Sequence, residues 1–329
     1  MRKIISIILA FTIMLSIMIP GSLSAASPET PGWEAAMEAS LDWLQANIRP
    51  APAVGSVGGE WAVLALARAG RVTINDRSIW IWQRNLERTL REVDRLQAAG
   101  HNIQNPPSAG TFPGDMRRWT DFQRATLALT ALGIDATDFN GRDLTVMYRN
   151  FIPVSQRHAL NQTINADIFA LIALNSMPYE GNHDRFLNLI LSEQNPNGTW
   201  NLGGVSLDTT AMALQALAPY YYNGDERVTE AVHSALDWLR LQTFPDPEST
   251  AQMIVALTAL GPDFAEEAQY YVNLLLSWFD RNTGAFRRPS LNDPINIMAT
   301  EQAAYALVAY WRLVNEMAAL YNMYDAFTE

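Results

Sequence analysis

The apolar positions of this chain repeat one helical pattern along its length. Each copy is rich in alanine and leucine and is apolar almost all round, as in residues 61–70 and 211–217. When the copies are aligned on one alanine, they are centred on Ala65, Ala128, Ala170, Ala213, Ala256 and Ala306. A helix without a wide polar face is buried on most sides. The repeat therefore predicts six inner helices that pack closely together.

Amphipathic helical stretches lie between these copies. Their apolar residues recur at helical spacing on one side, and charged residues occupy the other. They cover residues 34–46, 77–98, 141–151, 183–192, 226–241 and 264–279. An amphipathic helix followed by a buried helix, six times over, predicts an all-α fold of twelve helices.

Two arrangements of six helical hairpins fit this repeat, an open solenoid and a closed ring. An open solenoid leaves one face of each inner helix in water, whereas these inner helices stay apolar along most of their length. We therefore expect a closed α6/α6 toroid with the inner helices at its hub. This toroid is expected to form a single domain over residues 27–329.

The first 26 residues have the pattern of a secretory signal peptide. Arg2 and Lys3 precede an unbroken apolar run over residues 4–20, and small residues follow at Ser24 and Ala26. A basic start, an apolar middle and a small-residue cleavage site are typical of an export signal, with an uncleaved anchor helix as the alternative. No later apolar run reaches the ~20 residues that a bilayer span needs. We expect a secreted, extracellular protein without a membrane span after cleavage, and association with the cell surface is left open.

The turns before several inner helices share a glycine and an aromatic residue. The turn reads Gln194-Asn-Pro-Asn-Gly-Thr-Trp200 before the fourth inner helix, and 280–286 and 110–112 are similar. Together with 208–217, this motif resembles the glutamine–tryptophan repeat and inner helix of the terpenoid cyclase and protein prenyltransferase superfamily. Other inner segments are similar to secreted bacterial prenyltransferase/squalene-oxidase-repeat proteins. The resemblance implies an α/α toroid, a fold that many activities share.

Charge and composition narrow the chemistry. With 23 basic and 34 acidic residues the net charge is -11, which argues against a nucleic-acid partner. The absence of cysteine excludes disulfides, thiolate nucleophiles and thioesters. Protein prenyltransferases hold zinc with Asp, Cys and His, so that activity is excluded too, and the four histidines show no ligand spacing. We predict neither a metal nor a cofactor.

Polar residues concentrate at the start of the inner helices. In a ring whose inner helices run the same way, these N-termini gather at one mouth and favour a negative or hydrogen-bond-accepting group. The alternative for each residue is a helix cap or first-turn carboxylate without a ligand. As a set, the candidate ligand-binding residues are Glu60, Gln123, Arg124, Asn165, Asp167, Asp208, Thr209, Gln252, Glu301 and Gln302. Aromatic residues could line the same cavity, although most are expected in the core.

Asp208 is the one candidate catalytic residue. The segment 206–212 resembles the Asp-x-Asp-Asp-Thr-Ala-Met motif of class II terpene cyclases, whose middle Asp protonates a carbon–carbon double bond. That middle Asp falls on Asp208, but Ser206 and Thr209 replace the flanking acids. Losing both partners removes much of the tuning that keeps such a carboxyl neutral and strongly acidic.

Three functions remain after these exclusions. The first is a non-catalytic secreted toroid that binds a small apolar or amphiphilic ligand, or a cell-envelope partner, at the mouth of the ring. The second is a reduced class II terpene cyclase, similar to squalene–hopene cyclases, with Asp208 as the protonating acid. The third is a structural module of the cell envelope, in which side chains fill the centre of the ring.

Overall fold

The computed structural model describes residues 32–100, 116, 118–150, 163–288 and 295–328. Within these ranges the protein has eleven α-helices and one sheet of two short strands, which confirms the all-α class. The chain divides into Met1–Thr30 and Pro31–Glu329, and the predicted signal peptide lies outside the described residues. None of the helices in the described ranges is both long enough and apolar enough to cross a membrane.

The helices follow the predicted alternation closely. In chain order they are α1 (Trp33–Asn47), α2 (Glu60–Arg68), α3 (Arg77–Ala98), α4 (Trp119–Ala131), α5 (Ile164–Ser176), α6 (His183–Ser192), α7 (Leu207–Tyr222), α8 (Glu226–Arg240), α9 (Pro247–Leu260), α10 (Ala265–Leu275) and α11 (Ile297–Val314). The strands β1 (Phe279–Asp280) and β2 (Ala285–Phe286) pair antiparallel between α10 and α11. The six apolar segments of the repeat form α2, α4, α5, α7, α9 and α11.

The inner helices are buried because their sequences leave no polar face. Most residues of α5 and α9 are inaccessible to solvent. Three inner helices begin at a side-chain cap: Ser206, Asp246 and Asn296 each accept a hydrogen bond from the backbone N–H three residues later. Such caps satisfy N–H groups that a helix leaves without partners at its start.

One predicted outer helix does not form. The stretch 141–151 was expected to be an amphipathic helix, but its described part contains only a short 3-10 turn at Leu144–Met147. Asn140 and Gly141 have positive φ, and the Asp143 carboxylate accepts hydrogen bonds from the backbone N–H and hydroxyl of Thr145. This local bonding competes with a regular helix. The other amphipathic stretches form α1, α3, α6, α8 and α10 as predicted.

The inner helices contact one another in a cyclic order. Along the chain, α2 packs against α4, α4 against α5, α5 against α7, α7 against α9 and α9 against α11. The last inner helix, α11, also packs against the first, α2. Outer helices cover this set, with α1 and α10 against α11, α6 against α5, and α8 against α7. The core is therefore continuous through all six inner helices.

The glycine–aromatic turn before α7 has the predicted geometry. Gly198 has φ +85°, and a Cβ added there would lie 2.3 Å from the carbonyl oxygen of Ser234. Trp200 is fully buried, and its indole N–H donates to the carbonyl of Ile190 on α6 at 2.6 Å. The aromatic residue thus packs back on the preceding outer helix. The equivalent turn at 110–112 lies outside the described residues.

A C-terminal segment, residues 316–328, packs on the C-terminal ends of the inner helices. Arg68 at the end of α2 and Arg312 near the end of α11 both form ion pairs with Asp325, and the Arg68 bond measures 2.7 Å. Arg312 also donates to the carbonyl of Arg68 at 2.9 Å. The Met323 N–H donates to the carbonyl of Ser176 on α5 at 3.0 Å. Two almost fully buried guanidinium groups therefore fasten this segment to the inner helices.

Candidate functional site

Two buried carboxyl groups lie at the N-terminal ends of α2 and α11. Glu60 and Glu301 are each 1% exposed. Glu60 Oε1 accepts a hydrogen bond from the Gly55 N–H at 2.8 Å, and Glu301 Oε2 accepts one from the Gly58 N–H at 2.9 Å. The two carboxyl groups thus hold the loop that leads into α2. Burial raises the pKa of both, and that of Glu301 reaches about 8, so its carboxyl is largely protonated at neutral pH.

A guanidinium group from a third inner helix faces these carboxyl groups. Arg124 on α4 lowers the pKa of both Glu60 and Glu301 by its positive charge, against the stronger effect of burial. It also donates to Asp121 at 2.7 Å. Because α2 lies between α4 and α11 in the cyclic order, the influence of Arg124 on Glu301 joins inner helices that are not neighbours. We call Glu60, Asp121, Arg124 and Glu301 the acidic cluster.

A chain of side-chain amides crosses from α7 through α9 to α11. The Gln215 Nε2 group donates to the Gln252 carbonyl and to Gln252 Oε1, both at 3.0 Å. Gln252 Nε2 donates in turn to Gln302 Oε1 at 3.0 Å and to the Tyr305 hydroxyl. Since each donor meets an acceptor, the orientation of these amides is fixed. Among helices that are otherwise apolar, this amide chain places hydrogen-bonding groups in the interior.

Three aromatic rings converge beside the amide chain. The ring of Trp61 on α2 lies 5.5 Å from that of Phe169 on α5 and 5.7 Å from that of Tyr305 on α11, measured between centroids. These tilted arrangements are favourable for aromatic pairs. In the cyclic order α4 lies between α2 and α5. The Trp61–Phe169 contact therefore also joins two inner helices that are not adjacent. We call these three residues the aromatic cluster.

Asp208, in the first turn of α7, lies near both groups. Burial raises its pKa, the Ser249 hydroxyl on α9 opposes this by donating a hydrogen bond, and the charge of Asp246 adds to the rise. Burial raises the pKa of Tyr305, and the neighbouring carboxyl groups of Asp208 and Glu301 add to the rise. Asp208 is therefore a half-buried carboxyl group next to the aromatic cluster. Its two oxygens are not flanked by the acids of the cyclase motif.

The remaining sequence-predicted residues serve more local roles. Gln123 on α4 donates to the Ala166 carbonyl on α5 at 2.8 Å, which joins two neighbouring inner helices. Asp167 is fully buried in the first turn of α5. Thr209 hydrogen-bonds through both its N–H and its hydroxyl to the Ser206 hydroxyl, so it belongs to the cap of α7. Thr209 is thus the predicted residue whose contacts are explained by capping alone.

Several buried polar atoms at this end have no partner. Within the described residues, Glu60 Oε2, Gln123 Oε1, Asn165 Oδ1 and Arg124 Nε are inaccessible to solvent and form no hydrogen bond. A buried polar atom left without a partner destabilises a fold by about 1–3 kcal/mol. Such atoms are rare in packed cores, and a bound water, ion or ligand is among the partners that can satisfy them.

The first two turns of the inner helices are more accessible than their middles. Partly exposed residues occur there on five of the six inner helices, although most of the residues that follow are buried. They include Trp61, Arg124, Asn165, Asp208, Met212 and Gln302. These residues come from α2, α4, α5, α7 and α11, and they include members of each group described above. Both apolar and polar side chains are therefore partly accessible to solvent at the N-terminal ends of the inner helices.

Sequence reasoning identified the polar positions but missed several of their partners. Trp61, Phe169 and Tyr305 were expected to be core residues, and Ser249 was not singled out. The sequence did hold one signal, since Tyr305 follows Glu301 by four residues and so lies on the same helical face. Among the described residues, no group of three His, Asp or Glu side chains is arranged to hold a metal ion.

Comparison with known proteins adds no family assignment. No protein-family model matches the chain, and a search of curated proteins finds no significant match. The functional interpretation therefore depends on the geometry described above.

Proposed function

We propose that the chain is a secreted toroid of the terpenoid cyclase and prenyltransferase-repeat kind, closed by the packing of α11 on α2. The cyclic order of helix contacts supports closure. So do the contact between the Trp61 and Phe169 rings and the effect of the Arg124 charge on the pKa of Glu301, which link inner helices that are not neighbours. An open arc would keep such helices apart. Export is supported by the pattern of residues 1–26 alone.

The proposed function of this toroid is to bind a small apolar or amphiphilic ligand at the N-terminal mouth of the ring. The observation that carries the proposal is the set of partly exposed residues in the first two turns of helices that are otherwise mostly buried. A ligand pocket typically combines apolar walls with a few convergent polar groups. Here the aromatic cluster supplies apolar surface, and Gln302, Asp208 and the acidic cluster supply hydrogen-bonding groups.

The chemistry of the mouth favours a ligand with an apolar body and a hydrogen-bonding end. Trp61, the partly exposed member of the aromatic cluster, offers its ring to an apolar body. The amide chain and the largely protonated Glu301 can donate and accept hydrogen bonds without requiring a full charge on the ligand. Isoprenoid alcohols, corrinoids and glycans combine apolar and hydroxyl-bearing surface in different proportions and are suitable first probes.

Thermal unfolding with and without farnesol, cobinamide or a cello-oligosaccharide tests this proposal. We expect one class to raise the melting temperature of the wild-type protein. The same ligand should raise that of Trp61→Ala much less, because the variant loses a wall of the mouth. Trp80→Ala is the matched control, since Trp80 is 54% exposed on α3, and it should respond like the wild type.

Two outcomes of this experiment count against ligand binding at the mouth. If no probe shifts the melting temperature, the small-molecule form of the proposal fails, and a structural envelope module or an envelope partner becomes the better interpretation. If Trp61→Ala and Trp80→Ala respond equally, the ligand binds elsewhere.

A second candidate function is a reduced class II terpene cyclase. The raised pKa of Asp208 favours it, because burial helps this carboxyl group to keep its proton beside aromatic rings, as an acid that protonates an alkene must. Incubation with squalene or a shorter polyprene should then give cyclic products with the wild-type protein and none with Asp208→Asn. Asp263→Asn, an exposed substitution, is the control. Equal turnover by Asp208→Asn and the wild type would eliminate Asp208 as the acid.

A further inference from the structure

A cavity lies towards the C-terminal ends of the inner helices, away from the proposed mouth. It has a volume of about 310 Å³, and its walls come from the C-terminal halves of α5, α7 and α9 and from the C-terminal segment. Ile172, Val255 and Leu320 contribute apolar surface, and Tyr222 and Tyr321 contribute ring faces. The volume is at the lower end of the range for small-molecule sites.

The lining of this cavity carries no ionised side chain. Within the described residues, its walls hold apolar side chains, tyrosines and side-chain amides, and neither a carboxylate nor a guanidinium group. A charged ligand would lose its hydration there without gaining an opposite charge. The C-terminal ends of the surrounding helices direct backbone carbonyls towards this side, which favours hydrogen-bond donors on a ligand. The cavity therefore suits an uncharged molecule that donates.

Gln215 provides an acceptor of fixed orientation. Its Nε2 group already donates to two oxygens of Gln252, so the amide cannot be turned round without losing both bonds. Its Oε1 atom is buried and has no hydrogen-bond partner within the described residues, although Gln215 is one of the residues that line the cavity. Such an oxygen gains a hydrogen bond if a donor enters the cavity.

We propose that this cavity is a second binding site, for a compact uncharged apolar molecule that donates one hydrogen bond to Gln215 Oε1. Phenols, indoles and alicyclic alcohols belong to this class. The cavity lies towards the C-terminal ends of the helices, away from the proposed mouth, and Gln215 is the residue of the amide chain that lines it. The C-terminal segment is part of it, because Leu320 and Tyr321 form one wall.

Isothermal titration calorimetry with two matched probes tests the proposal. The probes are 2-naphthol, which carries one donor, and 2-methoxynaphthalene, which carries none. We expect 2-naphthol to bind the wild-type protein at one site, about tenfold more tightly than the ether, which corresponds to one hydrogen bond. In Gln215→Met, which keeps the length of the side chain and removes the acceptor, the two probes should bind equally.

Two further variants separate this site from other binding and from misfolding. Ala259→Trp fills the cavity from α9 without altering the amide chain and should abolish binding of both probes. Gln242→Met, outside the cavity, is the control for removing a glutamine amide and should bind both probes as the wild type does. Equal affinity of the wild type for the two probes overturns the proposal, and so does undiminished 2-naphthol binding by Ala259→Trp. These results do not depend on Gln215→Met folding normally.

Discussion

The buried carboxyl group of Glu301 predicts a pH-dependent stability of definite sign. Its pKa rises from an ordinary value of 4.5 to about 8 in the folded protein, chiefly because burial disfavours the charged form. Between pH 4.5 and pH 8 Glu301 therefore keeps its proton in the folded state and has released it in the unfolded state. The contribution of Glu301 is therefore fully present below pH 4.5 and is lost as the pH rises through 8.

The size of this loss follows from the shift. One pKa unit corresponds to about 1.4 kcal/mol, so ionising Glu301 should lower the free energy of unfolding by roughly 3 kcal/mol between pH 5 and pH 8. Glu301→Gln removes the ionisation and keeps an oxygen that can accept from the Gly58 N–H. The variant should thus gain stability relative to the wild type as the pH rises.

Urea denaturation of the wild type and Glu301→Gln at half-unit pH steps measures the effect. The difference in free energy of unfolding should grow by roughly 3 kcal/mol in favour of the variant from pH 5 to pH 8. Glu230→Gln, at an exposed position on α8, is the control and should run parallel to the wild type. If Glu301→Gln also runs parallel to the wild type, the carboxyl group is not buried as described.

Two further predictions concern the C-terminal segment and the turn before α7. Asp325→Asn leaves the buried Arg68 and Arg312 without their counter-charge. Since the Asp325 side chain is itself 34% exposed, we expect the free energy of unfolding in urea to fall by roughly 2–3 kcal/mol, with faster proteolysis of the segment. Unchanged proteolysis would contradict the proposed role of Asp325 in fastening the segment. Gly198→Ala places a methyl group against the Ser234 carbonyl at a residue with positive φ. It should lower the melting temperature several degrees more than Gly203→Ala, where φ is also positive but no atom lies close to the added methyl group. Equal losses would refute the close approach between Gly198 and Ser234.

The inner helices could be predicted from sequence because their apolar character is local. An alanine-rich segment such as α9 has no polar face, so it must be buried whatever surrounds it. The stretch 141–151 could not be predicted in this way. Tyr148 is buried there and its hydroxyl donates to Thr126 Oγ1 on α4 at 2.9 Å, so tertiary packing and the Asp143 turn decide the local structure. Neither is visible in a periodic pattern.

The polar residues of the candidate site could be predicted from the sequence, but the groups to which they hydrogen-bond could not. Glu60 and Glu301 could be named because they are polar residues near the start of helices that are otherwise apolar. Their hydrogen bonds go to backbone N–H groups of Gly55 and Gly58, which no side-chain pattern reports. Contacts such as Trp61 to Phe169 join segments more than a hundred residues apart. Such contacts follow from the order in which the helices pack. The sequence implies that order only if the ring is assumed to be closed.

The packing of α11 on α2 is the contact on which the proposed mouth depends most. Val57, which is exposed just before α2, and Met298, at the start of α11, are suitable positions for paired spin labels, because Ile297 lies against Gly58 and the chain has no native cysteine. Pulsed electron paramagnetic resonance on Val57→Cys/Met298→Cys should give one separation of roughly 10–20 Å, as for adjacent helices about 10 Å apart carrying flexible labels. A separation well above 20 Å, towards the roughly 50 Å that five such helix spacings span, would contradict closure and with it the proposed mouth.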